Sequence, residues 1–245
     1  MSSMNQKPLI WAHRGASGHA PENTIPAFLM AAAMQADGVE LDVQMTKDGE
    51  LVVCHDETVD RTSNGAGSIA DLTLRELKAL DFCCGNLAYE GVRIPTMEEV
   101  LEALKPTGMT INIELKTGVC FYPGLEEKLM ALVSRKGWQE RVIYSSFNHV
   151  TLQKIHRLDP EAKTGVLYAD GLADPVAYGR SLGARALHPA FYNLQYPGFL
   201  RACAEDGMDI NVWTVNTEEE LRRCGEWGVH AVITNYPEKA RKMLG

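Results

Sequence analysis

Three carboxylates lie on two apolar stretches of the sequence that have the composition of buried strands. Glu40 and Asp42 are two residues apart within Gly38–Val43, so a strand would point both side chains to the same face of its sheet. Glu114 lies near the end of a further stretch, Thr110–Leu115, which we expect to neighbour the first. Carboxylates that converge repel one another unless a cation lies between them, and ligation by oxygen alone suits Mg²⁺, Ca²⁺ or Mn²⁺. The residues therefore predict a divalent-cation site.

Two cationic side chains and two histidines are expected at the same place. Arg14 and Lys116 each follow an apolar stretch, and an arginine fork beside a lysine point charge is a common way to hold a phosphate. His13 precedes Arg14, and His55 follows a short hairpin strand. Imidazole titrates near neutral pH, as proton transfer requires, although a single histidine is more often structural. An open alternative is that Arg14 and Lys116 merely neutralise the carboxylates.

The elements that would position these residues alternate between apolar stretches and amphipathic helical patterns. Nearly continuous apolar stretches are typical of parallel strands that helices cover. Eight of them qualify as strands: Leu9–Ala12, Gly38–Val43, Thr110–Leu115, Val142–Ser146, Thr164–Tyr168, Ala186–His188, Ile210–Val215 and Ala231–Thr234. Eight strands and about eight helices in 245 residues predict a closed (β/α)8 barrel, with an open doubly wound sheet as the alternative. His188 ends the sixth strand and would face the barrel mouth.

Two helices show their boundaries clearly in the sequence. The first pattern predicts a helix that ends at Gly137, with a buried face of Leu125, Leu129, Leu132 and Val133 and a solvent face that includes Glu126, Glu127 and Arg135. In the second, Thr217 and Glu220 have the spacing of a capping box, which predicts a helix that ends near Gly225. Thr24 and Thr96 precede similar stretches, and Glu99 lies in the box position after Thr96.

The segment from about residue 56 to residue 95 interrupts this alternation. It consists of a polar stretch (DETVDRTSNGAGS), a short helix at Leu74–Leu80 and an irregular stretch (CCGNLAYEGVRIP). It follows Leu51–Cys54, a strand candidate that would pair through the turn at Asp48-Gly49. We interpret the segment as an insertion at the barrel mouth of a single domain spanning residues 1–245, because about 40 residues with few apolar anchors cannot build a separate core.

The bulk composition narrows the choice of partner and compartment. The net charge is −8 and no basic run occurs, which argues against nucleic acid or an anionic membrane surface as a partner. The six cysteines do not have the paired spacing that is typical of metal sites, which favours buried or otherwise unreactive free thiols in a reducing compartment. The first residues lack the apolar core of a signal peptide, and no apolar stretch approaches about 20 residues. We therefore predict a cytoplasmic protein without stable membrane association; the oligomeric state is not indicated.

Several short motifs occur in order over nearly the whole chain: His13-Arg14-Gly15, Pro21-Glu22-Asn23-Thr24, Glu40-Leu41-Asp42, His55-Asp56, Glu114-Leu115-Lys116 and Trp213-Thr214-Val215-Asn216. The stretches DRTSNG and RIPTMEEVL accompany them in the inserted segment. With this ordered set, which is far more specific than any one tripeptide, the chain resembles the glycerophosphodiester phosphodiesterase family.

The resemblance implies a (β/α)8 barrel with a small insertion after the second strand, and hydrolysis of glycerophosphodiesters to sn-glycerol 3-phosphate and an alcohol. It implies the following roles: His13 and His55 as the general acid/base pair, Glu40, Asp42 and Glu114 as ligands of one divalent cation, Arg14 and Lys116 as phosphate contacts, Trp213 as a pocket residue, and Glu22 and Asn23 as supports of the first loop. The cation would be Mg²⁺ or Ca²⁺, with Mn²⁺ as a further candidate. The mechanism we expect passes through a cyclic phosphate.

Two other functions compete with this one. A lysophospholipase D of similar fold would need an apolar rim near the mouth, for which the inserted segment offers only Phe82, Leu87, Tyr89 and Val92. A non-catalytic binding barrel should lack at least one of the acid/base or ligand residues, and this chain lacks none of them. The sequence therefore favours an enzyme that acts on a small glycerophosphodiester.

Overall fold

The computed structural model describes residues 7–245, and its strands form a closed barrel. The strands are β1 (Leu9–His13), β2 (Gly38–Met45), β3 (Leu51–Val53), β4 (Thr110–Leu115), β5 (Val142–Ser146), β6 (Thr164–Tyr168), β7 (Ala186–Pro189), β8 (Asp209–Val212) and β9 (Ala231–Thr234). All except β3 run parallel to their neighbours, and β1 pairs with both β2 and β9, which closes the ring. The (β/α)8 barrel is confirmed, and the open-sheet alternative is wrong.

The helices of the described residues cover the outside of this barrel. They are α1 (Ile25–Ala33), α2 (Leu74–Ala79), α3 (Met97–Leu104), α4 (Leu125–Lys136), α5 (His149–Leu158), α6 (Pro175–Ser181), α7 (Phe199–Asp206), α8 (Glu218–Trp227) and α9 (Pro237–Leu244). The Thr24 side chain caps α1, and Thr96 and Thr217 form capping boxes with Glu99 and Glu220, as their spacing predicted. Apart from α2, which lies in the segment between β3 and α3, one helix lies between each pair of successive ring strands, and α9 follows the last strand.

Two local predictions were wrong, whereas the predicted end of helix α8 near Gly225 is close to the observed one. Helix α8 ends at Trp227, because Gly228, at φ 63°, adopts the left-handed conformation that ends it. Glu126 does not face solvent: it is 6% exposed and receives hydrogen bonds from Thr151 and Lys154 of α5. Strand β8 ends at Val212, three residues early, since the chain beyond it pairs only through a single bridge at Trp213.

The segment between β3 and α3 packs on a small apolar cluster of its own. Strand β3 pairs antiparallel with β2, and its residue Val52 is buried together with Cys54, Val59, Ile69, Leu77, Phe82 and Ile94. The backbone N–H of Val53 donates to the carbonyl of Pro95. Because β3 belongs to the sheet and also to this cluster, the segment is anchored to the strand that carries Glu40 and Asp42.

The register of the parallel strands determines which side chains meet at the mouth. His13 of β1 lies opposite Glu40 of β2, and Asp42 of β2 lies opposite Glu114 of β4.

The core around the barrel is apolar, with two large clusters of buried residues between strands and helices. Within residues 7–245, none of the helices has the length and apolar character needed to cross a membrane. The first six residues, on which the signal-peptide prediction partly rests, lie outside the described part.

Candidate active site

The three carboxylates that the sequence singled out meet at the mouth of the barrel. Glu40, Asp42 and Glu114 are all buried, and each offers an oxygen atom within 4.8 Å of the others. The strand register brings them together, because Asp42 and Glu114 are direct partners in the ladder between β2 and β4. Glu40 lies two residues before Asp42, on the same face of β2.

Burial and mutual repulsion disfavour the charged forms of two of these carboxylates. The pKa of Glu114 is raised to about 7 by burial and by Asp42. Burial, Asp42 and Glu114 also raise the pKa of Glu40 well above its ordinary value. Asp42 is fully buried, and its Oδ1 has no hydrogen-bond partner among residues 7–245. An unpartnered, buried carboxylate oxygen beside two further carboxylates fits a divalent cation.

The alternative of ordinary ion pairing describes this cluster only in part. The Lys116 Nζ lies 3.2 Å from Glu114 Oε1 and 3.9 Å from Asp42 Oδ1, and the Arg14 Nε lies 3.5 Å from Asp42 Oδ2. Both cations are therefore present, yet the pKa values of Glu40 and Glu114 remain raised. When all three carboxylates are ionised, Arg14 and Lys116 bring two positive charges to three negative ones, which leaves one negative charge without a partner.

The loop after β1 brings Arg14 over the carboxylates through an unusual backbone. Arg14 and Asn23 have φ values of 56° and 57°, in a region that side-chain-bearing residues seldom adopt. The Arg14 backbone N–H donates to both the carbonyl and the carboxylate of Glu40, and Asn23 Nδ2 donates to Asp42 Oδ2 at 2.8 Å. Gly15 approaches α1 so closely that a Cβ atom would lie 2.7 Å from Ala27. The loop is therefore fixed by the carboxylates on one side and by α1 on the other.

His13 lies beside the carboxylate cluster in a well-defined orientation. Its Nδ1 is 2.7 Å from Oδ1 of Asn235, and its Nε2 is 3.9 Å from Oε2 of Glu40. An amide oxygen accepts a hydrogen bond, so the neutral ring carries its proton on Nδ1 and leaves the Nε2 lone pair free. Burial and the neighbouring Arg14 lower the pKa of His13 to about 4.

His55 reaches the mouth from the other side, after β3. Its Nδ1 is 2.7 Å from Oδ1 of Asp56, and 32% of its side chain is exposed. Asp56 in turn receives two hydrogen bonds from Arg61, whose guanidinium also donates to both oxygens of Glu22. Glu22 Oε1 accepts from Arg14 at 3.0 Å. The two predicted supporting residues, Glu22 and Asn23, thus lie against Arg14 and Asp42 respectively.

Trp213 lies on the β8 side of the mouth. Its indole Nε1 donates to the carbonyl oxygen of His188 at 2.7 Å, and its ring packs edge-on against Phe147 with centroids 5.6 Å apart. These two aromatic residues form an apolar wall, and Phe147 is 47% exposed. The prediction that His188 faces the mouth was wrong: the ring is fully buried in the barrel, 2.9 Å from Asn211.

Three residues of this site were not assigned roles from the sequence. Asp56 and Arg61 lie in the quoted motifs His55-Asp56 and DRTSNG, but pairing between residues 22 and 61 leaves no local pattern. Asn235 directly follows β9, so the expectation that chemistry concentrates at strand ends would have found it.

The closed barrel, with ionisable side chains gathered at the carboxyl ends of β1, β2 and β4, defines a (β/α)8-barrel enzyme. The model of the glycerophosphoryl diester phosphodiesterase family matches residues 13–239. A glycerophosphodiester phosphodiesterase of Caldanaerobacter subterraneus is 45% identical over 233 residues, which cover 95% of this chain and 96% of the relative. The chain belongs to the glycerophosphoryl diester phosphodiesterase family and is an enzyme of that family.

Solved structures agree with this assignment. A glycerophosphodiester phosphodiesterase of Agrobacterium tumefaciens has a TM-score of 0.86 and 29% identity, with 96% of this chain and 99% of that chain covered. A phosphodiesterase of Oleispira antarctica, solved with the product sn-glycerol-3-phosphate, has a TM-score of 0.85 and 30% identity, with 97% and 96% covered. The predicted family and fold are therefore confirmed.

Proposed function

We propose that this protein hydrolyses glycerophosphodiesters to sn-glycerol 3-phosphate and an alcohol, in a reaction that depends on a divalent cation. The observation that carries the proposal is the group of Glu40, Asp42 and Glu114, three buried carboxylates that lie together beside the cationic side chains of Arg14 and Lys116. The Oleispira antarctica relative, solved with sn-glycerol-3-phosphate, supports the same product here.

Glu40, Asp42 and Glu114 would hold the cation. Their donors are all oxygen atoms, which suits Mg²⁺, Ca²⁺ or Mn²⁺. When bound, such an ion stabilises negative charge on the phosphate and orients the ester. Asp42 Oδ1 accepts no hydrogen bond from any residue between 7 and 245, so this oxygen is free to act as a ligand.

Arg14 and Lys116 would bind the phosphate. Both lie at the edge of the carboxylate cluster, and their side chains are only 18% and 13% exposed, so they are partly shielded from water. An arginine fork and a lysine ammonium in such a place stabilise the charge that develops on the phosphoryl oxygens. Glu22 and Asn23 would keep the Arg14 loop in this position.

His13 and His55 would transfer the protons. In the first step the glycerol 2-hydroxyl attacks phosphorus, His13 Nε2 accepts the hydroxyl proton, and the bond to the alcohol breaks as His55 donates a proton to the leaving oxygen. In the second step water opens the resulting cyclic phosphate, and the histidines exchange roles. The acceptor Asn235 suits His13 to begin as base, and the Asp56 carboxylate suits His55 to begin as donor.

A second substrate class is favoured by one observation. Val119 and Phe121 are 73% and 79% exposed in the loop after β4, the strand that carries Glu114. Together with Phe147, which follows β5, they provide exposed apolar side chains on the carboxyl-terminal side of the barrel. A lysophospholipid would place its acyl chain on such a surface. Comparing turnover of glycerophosphocholine with that of lysophosphatidylcholine separates the two substrate classes.

The direct test is hydrolysis of a panel of glycerophosphodiesters with and without chelator, adding back Mg²⁺, Ca²⁺ and Mn²⁺ in turn. We expect sn-glycerol 3-phosphate as the product, loss of turnover on chelation, and a cyclic phosphate signal by ³¹P NMR early in the reaction.

Because each histidine transfers a proton, His13→Ala and His55→Ala should each reduce kcat about 10²–10⁴-fold. His19→Ala, in an exposed loop and paired with Glu238, is the matched control. Near-normal turnover of His13→Ala or of His55→Ala would contradict the proposed role of the histidine that was replaced.

A further inference from the structure

Arg61 connects the two halves of the candidate site. Its Nε and Nη2 donate to the two oxygens of Asp56 at 2.7 and 2.9 Å, and its Nη1 and Nη2 donate to the two oxygens of Glu22, both at 2.8 Å. One planar guanidinium thus holds two carboxylates in a bidentate manner. Asp56 and Arg61 belong to the segment after β3, whereas Glu22 belongs to the loop between β1 and α1.

Each of these carboxylates contacts a residue of the proposed chemistry. Asp56 Oδ1 is 2.7 Å from Nδ1 of His55, and Glu22 Oε1 accepts from Arg14 Nη1 at 3.0 Å. The hydrogen bonds of Arg61 help to hold the pKa of Asp56 below its ordinary value. Although burial raises the pKa of Glu22, Arg61 and Arg14 outweigh it and lower this pKa as well. Both carboxylates are therefore ionised acceptors that fix the orientation of their partners.

Surface stabilisation is a poor explanation for this arrangement. The Arg61 side chain is 49% exposed, and an ion pair in such a place adds little to stability. The geometry, by contrast, is demanding, because a lysine has no planar fork with which to hold two carboxylates at once. The position of the guanidinium accounts for the orientation of two other side chains better than for the stability of the fold.

We propose that Arg61 is a positioning residue that locks His55 and Arg14 into one arrangement. Through Asp56 it fixes the ring of the proton donor, and through Glu22 it fixes the guanidinium that contacts the phosphate. Arg61 itself touches no reacting atom. The inference rests on the proposed function, since it assumes that His55 and Arg14 act on a phosphodiester.

The test uses Arg61→Lys, which keeps the charge and removes the fork, and Arg75→Lys as the control, because Arg75 is an exposed arginine of the same segment. Removing a residue that orients others typically costs 10–100-fold, and we expect a loss of about that size in kcat/KM for Arg61→Lys, with both a lower kcat and a higher KM. Asp56→Asn should lower kcat more than it raises KM, because Asp56 contacts His55 directly and reaches Arg14 only through Arg61 and Glu22. The double variant should lose little more kcat than the worse single variant, since both changes break the same support of His55.

A second readout does not depend on turnover. At a pH where the His55 ring is neutral, ¹⁵N NMR of the wild type should show its proton on Nδ1, because the Asp56 carboxylate accepts this proton. In Arg61→Lys both tautomers should appear. Kinetic constants of Arg61→Lys within twofold of the wild type, losses that multiply in the double variant, or an unchanged His55 spectrum would each overturn the inference. If the wild type fails to hydrolyse any glycerophosphodiester, the proposed function fails, and the NMR result still decides whether Arg61 orients His55.

Discussion

Two groups of carboxylates lie at the same barrel mouth in opposite electrostatic states. In the acidic cluster (Glu40, Asp42 and Glu114), burial raises the pKa of Glu40 and Glu114. In the charge-paired group (Glu22 and Asp56 with Arg61), hydrogen bonds from arginine lower the pKa of both carboxylates. The protein supplies the second group with a forked cation of its own, and it leaves the first group short of positive charge.

The difference distinguishes carboxylates that orient neighbouring side chains from carboxylates that can bind an ion. A carboxylate that its own protein neutralises has both oxygens occupied and can only orient its neighbours, as Glu22 orients Arg14. A carboxylate such as Asp42, with a buried oxygen that accepts no hydrogen bond within residues 7–245, retains the capacity to bind an ion. We infer that the acidic cluster is the cation site and that the charge-paired group is its scaffold.

One substitution in each group gives the largest expected difference. Asp42→Asn should reduce kcat on the order of 10³-fold, because the cluster loses a negative charge and one of the two side-chain oxygens of residue 42 that could bind the cation. Glu22→Gln keeps the shape of the side chain and should reduce kcat/KM only about tenfold, because Arg14 loses a support and not its charge. Steady-state kinetics of both variants, with the 85%-exposed Glu161→Gln as control, checks the prediction. Equal losses in the two variants would erase the distinction between the groups.

The barrel interior treats an ionisable group in a third way, by keeping it neutral. Burial and the nearby His230 lower the pKa of His188 from 6.5 to about 3. Below pH 6.5 the unfolded chain binds a proton here that the folded protein does not, so the free energy of unfolding should decrease as the pH falls from 6.5 towards 3. A full proton corresponds to roughly 1.4 kcal/mol per pH unit.

His188→Gln should therefore show a shallower dependence of stability on pH. Urea denaturation at pH 7, 6, 5 and 4.5, with chelator present, measures the slopes. His19→Gln, which is more than a third exposed, serves as the control and should keep most of the wild-type slope. The same slope in His188→Gln and in the wild type would show that His188 takes up protons in the folded state.

The sequence predicted the barrel and the acidic cluster because both depend on local rules. Apolar stretches mark the strands, and the alternation of side chains along β2 places Glu40 and Asp42 on one face. The strand order then brings Glu114 beside them. No pairing across the chain needs to be known beyond the order of parallel neighbours.

The remaining features depend on contacts between distant parts of the chain. Arg61 meets Glu22 because the segment after β3 folds onto its own apolar cluster, and nothing near either residue indicates this. Glu126 resembles a solvent-facing residue of α4 until Lys154 of α5 pairs with it. His188 lies at the end of an apolar stretch, but β7 continues to Pro189, so its ring stays inside the barrel.

The most direct test of the central claim is calorimetric titration of the chelator-treated protein with Mg²⁺, Ca²⁺ and Mn²⁺, in parallel for the wild type and Asp42→Asn. We predict that the wild type binds one ion per chain and gains about 2.7 kcal/mol of unfolding free energy when the ion is present at 100 times its Kd. Asp42→Asn should bind at least about tenfold more weakly. Absence of binding in the wild type, or equal binding in the two proteins, would contradict the assignment of Glu40, Asp42 and Glu114 as a cation site.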